Sequence, residues 1–373
     1  MSQIIYLDYN ATAPIRAEVI ELMTNAMEHA HNASSVHQSG RLGRKYIEKA
    51  REHIAALTNN PAAQITFNSG ATEGNNTVLR HFAEQYPDEQ ILVSAIEHPS
   101  VLEAIPNATT IPVTSDGIID LEALAKHLQK KTSLVSTMFI NNETGAIQPI
   151  KEISALTHKH GALLHVDGVQ AAGRIKIDMQ DQGIDFLTLS AHKFGGPQGV
   201  GALCHKLCGI NPTLLIGGGQ EKFLRAGTEN VAGIAGVGKA AELAMENLEN
   251  FQKNTRELQG KLENYLRDKK GVKIYATNTE RASNTTLISI KGLSSETLLM
   301  AFDLESIAIS NGSACSSGKV ESSHVLKAMG ESNEAASAAL RISTGWNSTQ
   351  NDIDAFIKSF ETIHTRIKEK ISD

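Results

Sequence analysis

Leu163-Leu-His-Val-Asp-Gly-Val-Gln170 and Phe186-Leu-Thr-Leu-Ser-Ala-His-Lys193 decide how this chain folds. In each, a short apolar run reads as a buried strand that stops at polar residues: Asp167 in the first, Ser190, His192 and Lys193 in the second. Ligands of open α/β sheets bind beside the carboxyl ends of the strands. A carboxylate at one strand end and an amine at the next are what pyridoxal phosphate requires. The amine makes a Schiff base, and the acid keeps the ring nitrogen protonated. Either residue alone would read as half of an ordinary ion pair. With Gln170, Ser190 and His192 beside them, the cofactor reading takes over.

Outward from this pair, apolar strands and helices alternate through the first two-thirds of the chain. Strands are expected at Gln64–Asn68, Ile91–Ala95, Thr109–Val113, Ser133–Phe139, Ala162–Asp167, Asp185–Ser190 and Val200–His205. Helices are expected at Arg44–Leu57, Leu121–Lys130 and Ile150–His160, the last stopped by Gly161. Near-continuous apolar strands separated by helices imply a mostly parallel sheet covered on both faces. From about Gly233 to Arg267 one long polar-rich helix is expected, suited to bridging two domains, and a final helix carries Ile353, Phe356, Phe360, Ile363 and Ile367 on one stripe.

A chain of 373 residues can bury a sizeable core, with room for a large domain and a smaller one. A hydrophobic fraction of 41%, a charged fraction of 20% and a net charge of −6 describe a soluble globular protein with no basic excess for nucleic acid. No apolar run approaches a membrane span, and the first residues do not read as a secretory signal. Three cysteines fit a reducing compartment, so the cytoplasm is the expected location.

Four further segments carry chemistry. Asn68-Ser-Gly-Ala-Thr-Glu-Gly-Asn-Asn76 follows a strand and opens a helix, offering free N–H groups and the Thr72 hydroxyl to a phosphate; alone it would pass for a plain N-cap. His98 in Glu97-His-Pro-Ser100 can stack on a ring and move protons, and Asn142 in Asn141-Asn-Glu143 can bond ring or substrate oxygens. Cys204 and Cys208 read as structural, because further metal ligands at sensible spacing are missing. Cys315 differs: it sits among small residues in Ile309-Ser-Asn-Gly-Ser-Ala-Cys-Ser-Ser-Gly-Lys319, where one thiol could visit a substrate and then an outside acceptor.

End to end, the chain resembles the pyridoxal-phosphate cysteine desulfurases of the NifS/IscS type, a branch of the class V aminotransferases. The matching strings are Tyr6-Leu-Asp-Tyr-Asn-Ala-Thr-Ala-Pro14, Ser69-Gly-Ala-Thr-Glu73, Glu97-His98, Asn141-Asn-Glu143, His165-Val-Asp-Gly-Val-Gln170, Ser190-Ala-His-Lys193, Gly217-Gly-Gly-Gln-Glu221, Arg225-Ala-Gly-Thr228, Gly312-Ser-Ala-Cys315 and Arg341-Ile-Ser343. The family departures are Asn311, Ala33, Ala13 and Glu321-Ser-Ser323, none of which removes a functional group.

The resemblance implies fold type I of the PLP-dependent transferases: a large domain over residues 15–250 with a mostly parallel sheet covered by helices, and a smaller α+β domain from 1–14 and 251–373. It implies that Lys193 holds the cofactor and shuttles the substrate α-proton, that Asp167 pairs with the ring nitrogen and Gln170 with the ring hydroxyl, and that His98 stacks on the ring. Ala71, Thr72, Ser190 and His192 would hold the phosphate. Thr228 would reach the phosphate of a neighbouring subunit, which makes a homodimer the expected form. Arg341, helped by Asn142, would take the carboxylate of L-cysteine, and Cys315 would accept the sulfur as a persulfide, leaving L-alanine. An iron–sulfur scaffold protein or another persulfide acceptor, such as a tRNA-thiolating protein, would then receive the sulfur, and Cys315 would be placed to ligate a cluster transiently with the scaffold. No nucleic acid, membrane or resident metal is expected. A class V aminotransferase needs no thiol in its site, so Cys315 favours the desulfurase; selenocysteine lyase stays open as the alternative.

Overall fold

The computed structural model describes residues 4–206, 209–312 and 322–372, with side chains through Thr365. Along it run the strands β1 (Ile5–Tyr6), β2 (Ile65–Asn68), β3 (Gln90–Ser94), β4 (Thr109–Ile111), β5 (Thr132–Met138), β6 (Leu163–Asp167), β7 (Phe186–Ser190), β8 (Gly201–His205), β9 (Val272–Ile274), β10 (Thr285–Ile290), β11 (Ile307–Ala308) and β12 (Ala339–Ser343). β2 to β8 form one sheet in the order β2-β8-β7-β6-β5-β3-β4. Its pairs are parallel from β7 through β4, and β8 alone runs against its two neighbours. Six strands therefore point the same way, as the apolar runs between helices foretell.

Alternate side chains of these strands reach opposite faces. Leu92, Val135, Leu164 and Leu187 pack into one core with the helices Gln38–Thr58 and Val231–Glu246. Ile91, Val93, Leu134 and Phe186 pack into another with Val78, Leu79 and Phe82 of the helix Ala71–Gln85. A third core draws on Leu7 and on residues from Leu258 onward, including Ile288, Phe302, Leu340, Phe356 and Phe360. It backs the antiparallel sheet β9-β10-β12 and the small parallel pair β1-β11. Ile96 and Met138 from the main sheet meet Tyr275, Leu287, Val325 and Leu326 in a fourth cluster, which joins the two parts.

One expectation fails here. The stretch from Gly233 to Arg267 is two helices, Val231–Glu246 and Leu248–Arg267, broken at Asn247. Asn247 leaves the helical region at φ −106°, ψ 6°, and its backbone N–H (3.1 Å) and side-chain amide (2.8 Å) both close onto the Leu243 carbonyl, ending the first helix there. The first helix is apolar rather than polar-rich, with Ile234, Val237, Ala240 and Ala241 buried, whereas Leu258, Leu262 and Leu266 of the second pack into the other core. Of the last helix, Gln350–Ser372, Ile353, Phe356, Phe360 and Ile363 are buried; the Ile367 side chain lies outside the described residues.

The helix pair Gln38–Thr58 and Val231–Glu246 approaches closely at Gly238, where an added Cβ would lie 2.4 Å from Ala50 Cα. Helix propensity alone favours alanine over glycine by about 1 kcal/mol. We expect the backbone clash to win: Gly238→Ala should lower stability by about 1–3 kcal/mol in urea unfolding. A variant as stable as the parent would contradict this packing.

Candidate active site

Five strands of common direction end around one cavity of about 420 Å³. β2 leads to Gly70, Ala71 and Thr72; β3 to His98; β5 to Asn142; β6 to Asp167 and Gln170; β7 to Ser190, His192 and Lys193. Arg341 enters from β12 and Asn10 from the N-terminal segment. Ala71, Thr72, His98, Asn142, Asp167, Gln170, Ser190, His192, Lys193 and Arg341 thus share one space. Thr228 does not: it is exposed in an adjoining groove with Arg225 and Gly227. Cys315 and Cys208 lie outside the described residues. Cys204 is fully buried on β8, where burial pushes its thiol up to about 12, as befits a structural cysteine.

Lys193 Nζ donates to the carbonyls of Asn10 (2.7 Å) and Ala11 (2.8 Å). Asp167 is held from both sides, Oδ1 by the Val169 N–H (3.0 Å) and Oδ2 by Asn75 Nδ2 (2.8 Å). Each oxygen keeps a further lone pair for a ring N–H. Beneath, His165 is fully buried between Ser136 Oγ (2.8 Å) and Thr188 Oγ1 (3.0 Å), and burial pulls it down to about 3. His192 is pulled down to about 4 by burial, then by the charges of Lys193 and Arg174. It stays neutral at pH 7, one ring nitrogen facing Thr12 Oγ1 at 3.1 Å. His98 opens the short helix Pro99–Leu102, its Nδ1 facing Ser100 Oγ at 2.8 Å. Glu97 is buried, with Oε1 accepting from the Met138 N–H (2.6 Å); burial, then the Asp167 charge, hold its carboxyl well above the usual range.

The donors match a phosphorylated pyridine aldehyde. No side chain caps the helix Ala71–Gln85, so its first N–H groups are available to an anion, and Thr72, Ser190 and His192 surround that end. Its cap, Gly70, has φ +144°, a conformation natural to glycine. A Cβ on Gly201 would lie 2.7 Å from Gly70 Cα, so this strand must also stay bare for the turn to fit. Arg341 bonds Asp8 Oδ1 (2.8 Å) and the Asn142 carbonyl (3.0 Å), while its buried Nε meets no acceptor among the described residues. A buried donor left unmet suits a ligand carboxylate. Among the described residues no cluster of three metal-ligating side chains occurs, and no helix is long and apolar enough to cross a membrane.

The sequence reading quoted Asn10 and Asn75 without a role. Asn75 could have been found: it lies three residues after Thr72, on the same helical face. Asn10 could not, since its carbonyl meets a lysine 183 residues away.

The aminotransferase class-V family matches residues 5–356. The cysteine desulfurase IscS of Dictyoglomus turgidum is 38% identical over 99% of this chain and 96% of its own. The NifS-like protein from Rickettsia africae superposes with a TM-score of 0.91 at 40% identity, covering 97% of this chain and all of that one. SspA in complex with cysteine superposes with a TM-score of 0.79 at 29% identity, over 91% of this chain and 98% of that one.

His165 yields a pH test. Its folded pKa lies below the unfolded value of about 6.5, so the unfolded state binds the extra proton between pH 6.5 and about 3, and stability falls as pH falls through that window. At pH 7, His165→Gln should cost about 1 kcal/mol of lost hydrogen bonding. The parent's advantage in urea unfolding should shrink below pH 6.5 and reverse by about pH 5; a constant gap would contradict the assignment.

Proposed function

The chain belongs to the class-V aminotransferase family, and on that footing we propose that it acts as a pyridoxal-phosphate cysteine desulfurase, taking sulfur from L-cysteine onto Cys315. The observation that carries this reading is the meeting of Lys193, Asp167, Arg341 and an uncapped helix N-terminus in one cavity. An amine, an acid, a carboxylate receptor and a phosphate cradle together match an amino-acid substrate and a phosphorylated cofactor.

Ala71, Thr72, Ser190 and His192 would hold the phosphate of the cofactor, Asp167 its ring nitrogen, Gln170 its ring oxygen and Lys193 its aldehyde, with His98 lining the same cavity. When bound, pyridoxal 5′-phosphate supplies an electron-poor ring that takes up the pair left at the substrate Cα when its proton departs. Lys193 Nζ removes that proton and can return it, relayed by His98. Arg341 fixes the substrate carboxylate through a charge-assisted bond, with Asn142 beside it, which sets the Cα–H bond toward Lys193. The Cys315 thiolate attacks the substrate sulfur: an S–S bond forms, the Cβ–S bond breaks, and its pair stays on Cβ, which gains a proton. The products are L-alanine and a Cys315 persulfide.

The persulfide passes to an acceptor such as an iron–sulfur scaffold protein, in the reducing cytoplasm that three cysteines suit. Thr228, exposed beside the phosphate end of the cavity, completes the site of a second subunit in a homodimer.

Cys315→Ser should bind cofactor and cysteine yet transfer no sulfur, a hydroxyl being a far poorer nucleophile for sulfur than a thiolate. Mass spectrometry after incubation with cysteine, without reductant, should show one added sulfur on the Cys315 peptide of the parent and none in the variant. Near-normal alanine formation by the variant would refute the mechanism. For the shared site, mixing inactive Lys193→Ala with an inactive Thr228 variant should restore activity, because one site of the mixed dimer has every group. A stable, fully active monomer in sedimentation would contradict it.

A further inference from the structure

Arg174 follows Gln170 by four residues in the turns after β6 and is 4% exposed, yet its hydrogen bonds go to uncharged acceptors: the Gln170 carbonyl (3.3 Å), Gln170 Oε1 and the Tyr9 carbonyl (3.4 Å). Among the described residues it makes no ion pair with a carboxylate. Buried arginines are ordinarily paired, since an uncompensated buried charge is costly. Burial, then the charge of Arg341, push its guanidinium below the ordinary value, but a guanidinium stays protonated at neutral pH.

The contact to Gln170 settles which way that amide faces. A guanidinium carries five donors and no acceptor, so the amide atom against it must be the oxygen. The amide nitrogen then donates one N–H to the Asn10 carbonyl (3.0 Å), which also receives Lys193 Nζ. Its second N–H is left for an acceptor in the cavity that Gln170 lines.

We propose that Arg174 is a positioning residue that locks Gln170 as a donor toward the cofactor's ring oxygen and places a fixed positive charge behind the group joined to Lys193. This rests on reading the cavity as the pyridoxal-phosphate site. The charges around that group come from several elements. Lys193 and His192 share the turn after β7, and Asp167 ends β6. Arg341 on β12 is offset by Asp8. His98 and Glu73 line the far side, where Glu73 is taken by Arg225. Tyr9 and Arg16 line a small void shared by Arg174 and Lys193. Arg174 adds a cation behind Gln170 with no carboxylate of its own. A nearby cation disfavours the protonated, more positive form of a titrating group.

The test is a pH titration of the visible absorption band of the holoenzyme, loaded with pyridoxal 5′-phosphate and without substrate. Arg174→Met removes charge and donors and should raise the midpoint by about one pH unit. Arg174→Gln keeps donors for the two carbonyls without the charge; it should move the same way and serves if the methionine variant does not fold. Arg174→Lys keeps the charge and should leave the midpoint near that of the parent. A purely structural arginine would give neutral and charged variants alike, and an unmoved midpoint in the folded neutral variants, or equal shifts in all three, overturns the proposal. A parent that acquires no visible band overturns instead the reading of the cavity.

Discussion

Lys193 lies in the turn after β7, in the middle of the main sheet, and its amine is held by the carbonyls of Asn10 and Ala11 from the N-terminal segment. Backbone carbonyls cannot wander, so this contact fixes where the amine stands and what must surround it. The segment Leu7–Asn10 is bound to β12 through Ser343: the Asn10 N–H donates to Ser343 Oγ, and Asp8 accepts from Arg341. The amine and the carboxylate receptor are therefore set by one strap of chain. Gln170 joins through its bond to the same Asn10 carbonyl. Displacing the strap would move several functional groups together, and it explains why the small β1-β11 pair, which holds the start of the strap, matters to the chemistry.

Electrostatic asymmetry completes the site. One side gathers cations, Lys193 and Arg174 beside the neutral His192 with Arg341 near Arg174; the other gathers the carboxyls of Asp167 and Glu97. Burial strengthens every such field, because little water remains to screen it. The Asn75 amide and the Val169 N–H hold Asp167 from both sides. Glu97 has one backbone donor, on Oε1, and burial beside the Asp167 charge favours its neutral form.

Local patterns in the sequence carried the main sheet and the strand ends well. Leu163–Asp167 and Phe186–Ser190 are apolar runs whose polar stops fall where strand geometry puts a ligand. Asp167, Lys193 and their neighbours could be named because each sits at such a stop. Asn247 was harder: one residue that leaves the helical region, its amide turned back onto the Leu243 carbonyl, breaks a run that hydrophobic spacing continues. Contacts between distant residues leave no local trace at all. The Asn10–Lys193 bond, the Asn75–Asp167 bond and the Arg174–Gln170–Asn10 chain emerge only when the sheet brings their elements together.

The claim on which everything else stands is that Lys193 carries the cofactor in this cavity. Borohydride reduction of the yellow holoenzyme, followed by proteolysis and mass spectrometry, fixes the cofactor to the lysine that holds it. A pyridoxyl group on the peptide containing Lys193 is the predicted result. Its appearance on any other lysine would contradict the account.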